Sequence, residues 1–164
     1  MKKILIIVPD GGMLFEAAGI ADILMQANRL HPEGLAHPRY RIIIATTQPH
    51  QVIHGRSGLN LLADYRLPEL DPREPLDTII ITGRGMNEQE STAVVDWLHL
   101  AAPYARRVAS ICGGAMLLAQ TGLLDGRRVT THWRLLETMQ AQYPTIHVEG
   151  GPLYIQDGPI WTSG

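Results

Sequence analysis

The sequence predicts an α/β fold in which a mostly parallel sheet carries helices on both faces. Two observations carry that prediction. Apolar, β-branched runs recur without the polar alternation of a half-exposed strand, as strands covered on both sides require. Longer segments with helical periodicity lie between them, so strand and helix alternate in the order that builds parallel crossovers. A third observation locates the chemistry: the only cysteine of the 164 residues, Cys112, falls where a strand meets a helix.

The elements follow in order. Residues 4–8 form a continuous apolar strand, and residues 15–29 a helix. The basic start, Met1-Lys2-Lys3, leads into only a short apolar run that stops at Pro9, so it reads as a buried strand and not as a signal peptide. Residues 41–46 and 77–82 are strands, the second β-branched through Thr78-Ile79-Ile80-Ile81. Between them, residues 53–62, with Gly55 and Gly58, suggest an inserted hairpin, and residues 67–75 a loop broken by proline. A helix over 88–102 is entered after Asn87, and residues 107–111 make a central strand. A helix over 113–121 stops at Gly122, and Asp125-Gly126 marks a turn. Residues 129–131 read as a short strand and 134–142 as a helix ended by Pro144. Short strands at His147-Val148, Tyr154-Ile155 and Ile160-Trp161 complete the chain.

Composition narrows the function. The chain is 45% hydrophobic and 18% charged, enough to bury a core and too apolar to be disordered. The net charge is −2, and the pairs Arg106-Arg107 and Arg127-Arg128 read as solvated, which argues against nucleic-acid binding by this segment. A single cysteine excludes an internal disulfide and gives no support to a zinc site. No stretch is long enough to cross a membrane, and the expected compartment is the cytoplasm.

Four features could carry chemistry. Cys112 lies at the carboxyl end of a strand, where open parallel sheets place their sites. Ser110 and Gly114 are small enough to let strand and helix close around it, and the helix N-terminus favours thiolate. A buried small hydrophobe is the plain alternative. Glu16 shares a helical face with Ile20, Ile23 and Ala27, so it needs a partner or a raised pKa, unless it only complements the helix dipole. A Glu16 that reaches the thiol is expected to be protonated and to donate to a thiolate. His132, in Thr131-His132-Trp133, could serve Cys112 as a general base or be an ordinary histidine among seven, and no carboxylate follows it until Glu137. Finally, the amides of Gly83 and Gly113 could form an anion hole to which Arg84 adds charge, or residues 82–85 could be a simple glycine turn.

A family resemblance rests on Ala109-Ser110-Ile111-Cys112-Gly113-Gly114-Ala115, Leu117-Leu118-Ala119, the run 122–128, Thr130-Thr131-His132-Trp133, Ile160-Trp161-Thr162-Ser163 and Phe15-Glu16-Ala17-Ala18-Gly19. With these the chain resembles the PfpI-type, class I glutamine-amidotransferase-like superfamily. More narrowly it is similar to the amidase-like N-terminal domain of AraC-family transcriptional regulators. The resemblance implies a flavodoxin-like fold, a parallel sheet sandwiched between helices, in one domain over 1–164 that is commonly dimeric. It maps Cys112 to the nucleophile-elbow cysteine, Glu16 to its acidic partner and His132 to the position facing the cysteine, as candidate catalytic residues that could be vestigial. Gly83, Arg84, Gly113 and Gly114 become candidate ligand-binding residues. No cofactor or metal is implied.

The resemblance also implies a small-molecule effector, a homodimer, and DNA contact only through a downstream helix-turn-helix domain. The end at Gly164, just after a strand, raises the expectation that a last helix and that domain follow. The enzyme pattern nearest to this one, isonitrile hydratase, has Thr after the cysteine and Asp at the carboxylate, where this chain has Gly113 and Glu16. The missing His-x-Glu pair separates the chain from glutaminases. The expected function is therefore a sensing domain. A Cys112-dependent hydratase or amidase, and a redox protein with an oxidisable Cys112, are the alternatives.

Overall fold

The computed structural model describes residues 1–83 and 88–164, with the side chains of residues 88–90 outside the description. In chain order the strands are β1 (Lys2–Val8), β2 (Tyr40–Thr46), β3 (Val52–His54), β4 (Asn60–Leu62), β5 (Tyr65–Arg66), β6 (Leu76–Ile81), β7 (Ala105–Ile111), β8 (Arg128–Val129), β9 (His147–Val148), β10 (Tyr154–Asp157) and β11 (Ile160–Ser163). The helices are α1 (Leu14–Leu30), α2 (Glu88–Ala101), α3 (Gly114–Gln120) and α4 (Leu136–Gln142). Seven strands form one sheet in the order β10-β11-β7-β6-β1-β2-β5, parallel throughout except for the β10–β11 pair. This is the mixed α/β, flavodoxin-like architecture expected.

β1 shows why the apolar runs are continuous. It pairs with β2 on one side and β6 on the other, and Ile4 through Val8 are all buried. Leu5 and Ile7 face α2 and α3, packing with Ile79, Ile81, Leu98 and Leu118. Ile4, Ile6 and Val8 face Ala17 of α1 and Ile53 of the inserted hairpin. Each such side chain stabilises the fold by about 1.5–3 kcal/mol.

Several expectations shift in detail. The first helix does not bury the face that the helical wheel suggests. Ile23 is 71% exposed, and only Ala17 and Asn28 are fully buried. Asn28 holds the end of α1 to the start of β2, donating to Tyr40 O at 2.8 Å and accepting from Tyr40 N–H at 2.9 Å. The strand expected at 129–131 is β8, which stops at Val129. Thr130 N–H goes to Thr162 Oγ1 and the Thr131 hydroxyl to Cys112 O, so neither residue joins a ladder. The helix expected at 134–142 opens with a 3₁₀ turn, Trp133–Leu135. The hairpin is present as β3 and β4, whereas β5, a two-residue strand beside β2, carries no sequence signal. The last strand, β11, lies inside the sheet between β7 and β10. Asn87, expected to lead into α2, lies outside the described residues.

Candidate functional site

The carboxyl ends of β1, β6 and β7 meet at one rim of the sheet, and the chain packs there as tightly as glycine allows. A Cβ on Gly83 would lie 2.7 Å from Gly113 N, and one on Gly114 would lie 2.5 Å from Ile81 O. These glycines bring the end of β6 against the start of α3. Cys112 sits in the turn between β7 and α3 with φ at +54°, the only positive φ outside glycine among the described residues. That left-handed backbone costs a side-chain-bearing residue about 1–2 kcal/mol. Its neighbours hold it: Cys112 N–H donates to Ser163 O at 3.0 Å, and its carbonyl accepts from the Thr131 hydroxyl at 2.8 Å.

Glu16 comes from the first turn of α1. One carboxylate oxygen accepts from Gly83 N–H at 2.7 Å, and the Cys112 thiol lies within hydrogen-bonding reach. Burial pushes the Glu16 carboxyl up, against the pull of Gly83, Cys112 and His132. Burial also pushes the Cys112 thiol up, and the Glu16 charge adds to it; the Gly113 N–H opposes. The expected thiolate is therefore not favoured. α3 has seven residues, and its dipole is outweighed by a desolvated thiol facing a carboxylate. The raised thiol runs against the thiolate half of the expected pairing, protonated Glu16 with thiolate, and the raised Glu16 carboxyl runs with its protonated half.

His132 reaches the same rim. Its Nδ1 accepts from Arg134 N–H at 3.2 Å, which leaves the proton of the neutral imidazole on Nε2. The ring stacks on Trp133, with centroids 5.6 Å apart. Among the described residues no carboxylate hydrogen-bonds to its ring, so they do not supply the base-and-orienter pair of a hydrolase triad.

The structure thus brings Cys112, Glu16, His132, Gly83 and Gly113 to one cleft of about 670 Å3. The Gly83 N–H that the sequence reading assigns to a ligand is taken by Glu16. Gly114 is buried under the turn and does not line the cleft, so its part is close packing. Arg84 lies outside the described residues. Sequence reasoning missed two lining residues, Arg56 and Arg134, and the apolar walls Met116 and Leu135, while the loop 11–14 that it expected to line a pocket does so through Gly11, Gly12 and Met13. The signal for Arg56 was its place between Gly55 and Gly58 in the hairpin.

The hairpin forms a wall of the cleft because its backbone docks on the loop after β1. Gly11 N–H donates to His54 O at 2.6 Å, and Arg56 N–H to Gly12 O at 3.0 Å. Among the described residues, no group of His, Cys, Asp or Glu gathers that could hold a metal ion. No helix among them is long and apolar enough to cross a membrane.

Relatives share this architecture. The chain is 31% identical over 149 residues to an uncharacterized protein in the cpoL 5' region of Streptomyces lividans, covering 87% of this chain and 96% of that one. It is 30% identical over 140 residues to the HTH-type transcriptional regulator CdhR of Pseudomonas aeruginosa, covering 85% of this chain and 39% of the regulator. An isonitrile hydratase of Pseudomonas putida matches at 34% over 96 residues, 54% of this chain and 39% of the enzyme. In structure, an AraC family transcriptional regulator from Pseudomonas putida superposes with a TM-score of 0.78 at 15% identity, over 99% of this chain and 83% of that one. Drosophila melanogaster DJ-1beta superposes with a TM-score of 0.74 at 20% identity, over 99% and 81%. The model of the DJ-1/PfpI family matches residues 2–164, and with the relatives it establishes that this chain belongs to that family.

Proposed function

We propose that the chain is the small-molecule-sensing domain of an AraC-type transcriptional regulator. In this reading it is a cytoplasmic homodimer, and DNA is contacted only by a separate helix-turn-helix domain. The observation that carries the reading is the state of His132. Its Nδ1 is taken by a backbone N–H, so the imidazole presents a donor and not a base, while the thiol beside it holds its proton. Such a cleft can bind and report but is poorly made to activate a nucleophile. The match to CdhR, of which this chain spans 39%, supports a domain that works within a longer protein.

The test is binding against turnover. The chain is incubated with isonitriles, small amides and a broad metabolite panel at neutral pH. Saturable binding that survives Cys112→Ser, without product, is the expected result. Turnover abolished by Cys112→Ser would overturn it.

That outcome is the second reading, a hydratase or amidase with Cys112 as nucleophile and Glu16 as acid partner. The positive φ of Cys112 favours it, because strain at a non-glycine residue often marks a reacting group.

A further inference from the structure

We infer that the cleft takes a small organic carboxylate, whose charged end is held between the guanidinium groups of Arg56 and Arg134. The inference rests on the sensing reading and adds the chemistry of the ligand. Arg56 and Arg134 line the same cleft from opposite parts of the chain, the hairpin and the 3₁₀ turn before α4. Among the described residues neither guanidinium has an ion pair, whereas Arg66, Arg106, Arg127 and Arg128 are each held by a carboxylate. Among the described residues, the other ionisable side chains lining the cleft are Glu16, Cys112 and His132. Glu16, engaged by Gly83 N–H and the Cys112 thiol, sets one carboxylate against the two guanidinium groups. The described lining thus carries an excess of positive charge.

One guanidinium and one stretch of backbone are placed before any ligand arrives. Arg134 lies over the Trp133 ring at 4.8 Å, which fixes the plane of its guanidinium. The backbone at Arg56 is held through its N–H to Gly12 O, and Gly55 beside it packs so closely on Leu14 that a Cβ there would come within 2.7 Å, so the hairpin sets Arg56 at the cleft wall. A planar guanidinium matches a carboxylate through two parallel hydrogen bonds. The rest of the lining, Met13, Met116 and Leu135, suits an apolar body. A volume of about 670 Å3 is in the range of ordinary metabolite sites.

The experiment is calorimetric titration of the 164-residue chain at low salt with acetate, butyrate, hexanoate and benzoate. The matching amides and inorganic phosphate are titrated in parallel. Carboxylates are expected to bind, the longer ones more tightly, and their amides to bind about tenfold or more weakly. Arg56→Gln and Arg134→Gln should each weaken carboxylate binding by about tenfold, with circular dichroism unchanged. Arg56→Lys should restore part of the loss.

Equal binding of acids and amides would overturn the inference, as would phosphate binding that matches every carboxylate, or arginine variants that bind normally. Saturable binding of neutral or cationic metabolites without any of carboxylates would sink the anion site and leave the sensing reading standing. No saturable binding across the whole panel would remove both.

Discussion

Replacing Cys112 by glycine should leave a more stable protein than replacing it by alanine. At most positions in regular structure the order is the reverse, because glycine loses more backbone entropy on folding, about 0.5–1 kcal/mol relative to alanine. Here the backbone sits at φ +54°, where any Cβ costs about 1–2 kcal/mol. Both substitutions remove the sulfur and its contacts, so those terms cancel in the comparison. Alanine keeps the strain and glycine relieves it. The balance favours glycine by about 0.5–1 kcal/mol. In a domain of this size that corresponds to about 1–4 °C in Tm. Urea denaturation followed by circular dichroism measures it, with a midpoint for Cys112→Gly a few tenths of a molar above that of Cys112→Ala at equal slope. An alanine variant as stable as the glycine variant, or more so, would show that the turn relaxes and that no strain is held at Cys112.

Further outcomes follow from the charges. Alkylation of Cys112 by iodoacetamide should show a midpoint above the usual cysteine range, and Glu16→Gln should lower it, because the nearby negative charge is gone. A midpoint unmoved by Glu16→Gln would separate the two groups. The raised Glu16 carboxyl binds its proton more tightly folded than unfolded. Its contribution is therefore full below the ordinary carboxylate pKa and is lost as pH rises through the folded value. Glu16→Gln should flatten the urea midpoint against pH above the ordinary carboxylate range, and an unchanged slope would contradict this. Asp77 behaves oppositely. Arg106 grips it through two 2.8 Å hydrogen bonds and holds its carboxyl down to about 2. Its contribution is present above the ordinary aspartate range and lost as pH falls through about 2. After solvent screening, Asp77→Asn should cost about 1 kcal/mol at neutral pH and less in high salt. A salt-independent cost would point to packing instead.

Much of the frame was legible because local pattern and global burial agree there. The run Ile4 to Val8 could only be a strand covered on both faces, and the small residues around Cys112 announced a tight turn. The wheel misplaced Ile23 because it counts apolar residues without knowing which face the sheet occupies; Asn28, a polar residue, is buried instead. The rim was legible as a set of residues and not as chemistry. Glu16 and Gly83 are 67 residues apart, and no spacing rule says that one caps the other. The tautomer of His132 depends on a backbone N–H two residues on, which any residue but proline would supply. Arg56 enters the cleft only because its hairpin docks on a distant loop.

That docking has a consequence for how such a protein can change. The hairpin stands outside the main sheet, and two of the bonds that seat it, Gly11 N–H to His54 O and Arg56 N–H to Gly12 O, are backbone to backbone. Backbone bonds survive replacement of side chains. The sequence from Arg56 to Leu59 is therefore insulated from the core, and substitutions there can alter what the cleft admits while α1, which carries Glu16, and the β7–α3 turn, which carries Cys112, keep their places. A new preference can be acquired on this wall without renegotiating the fold.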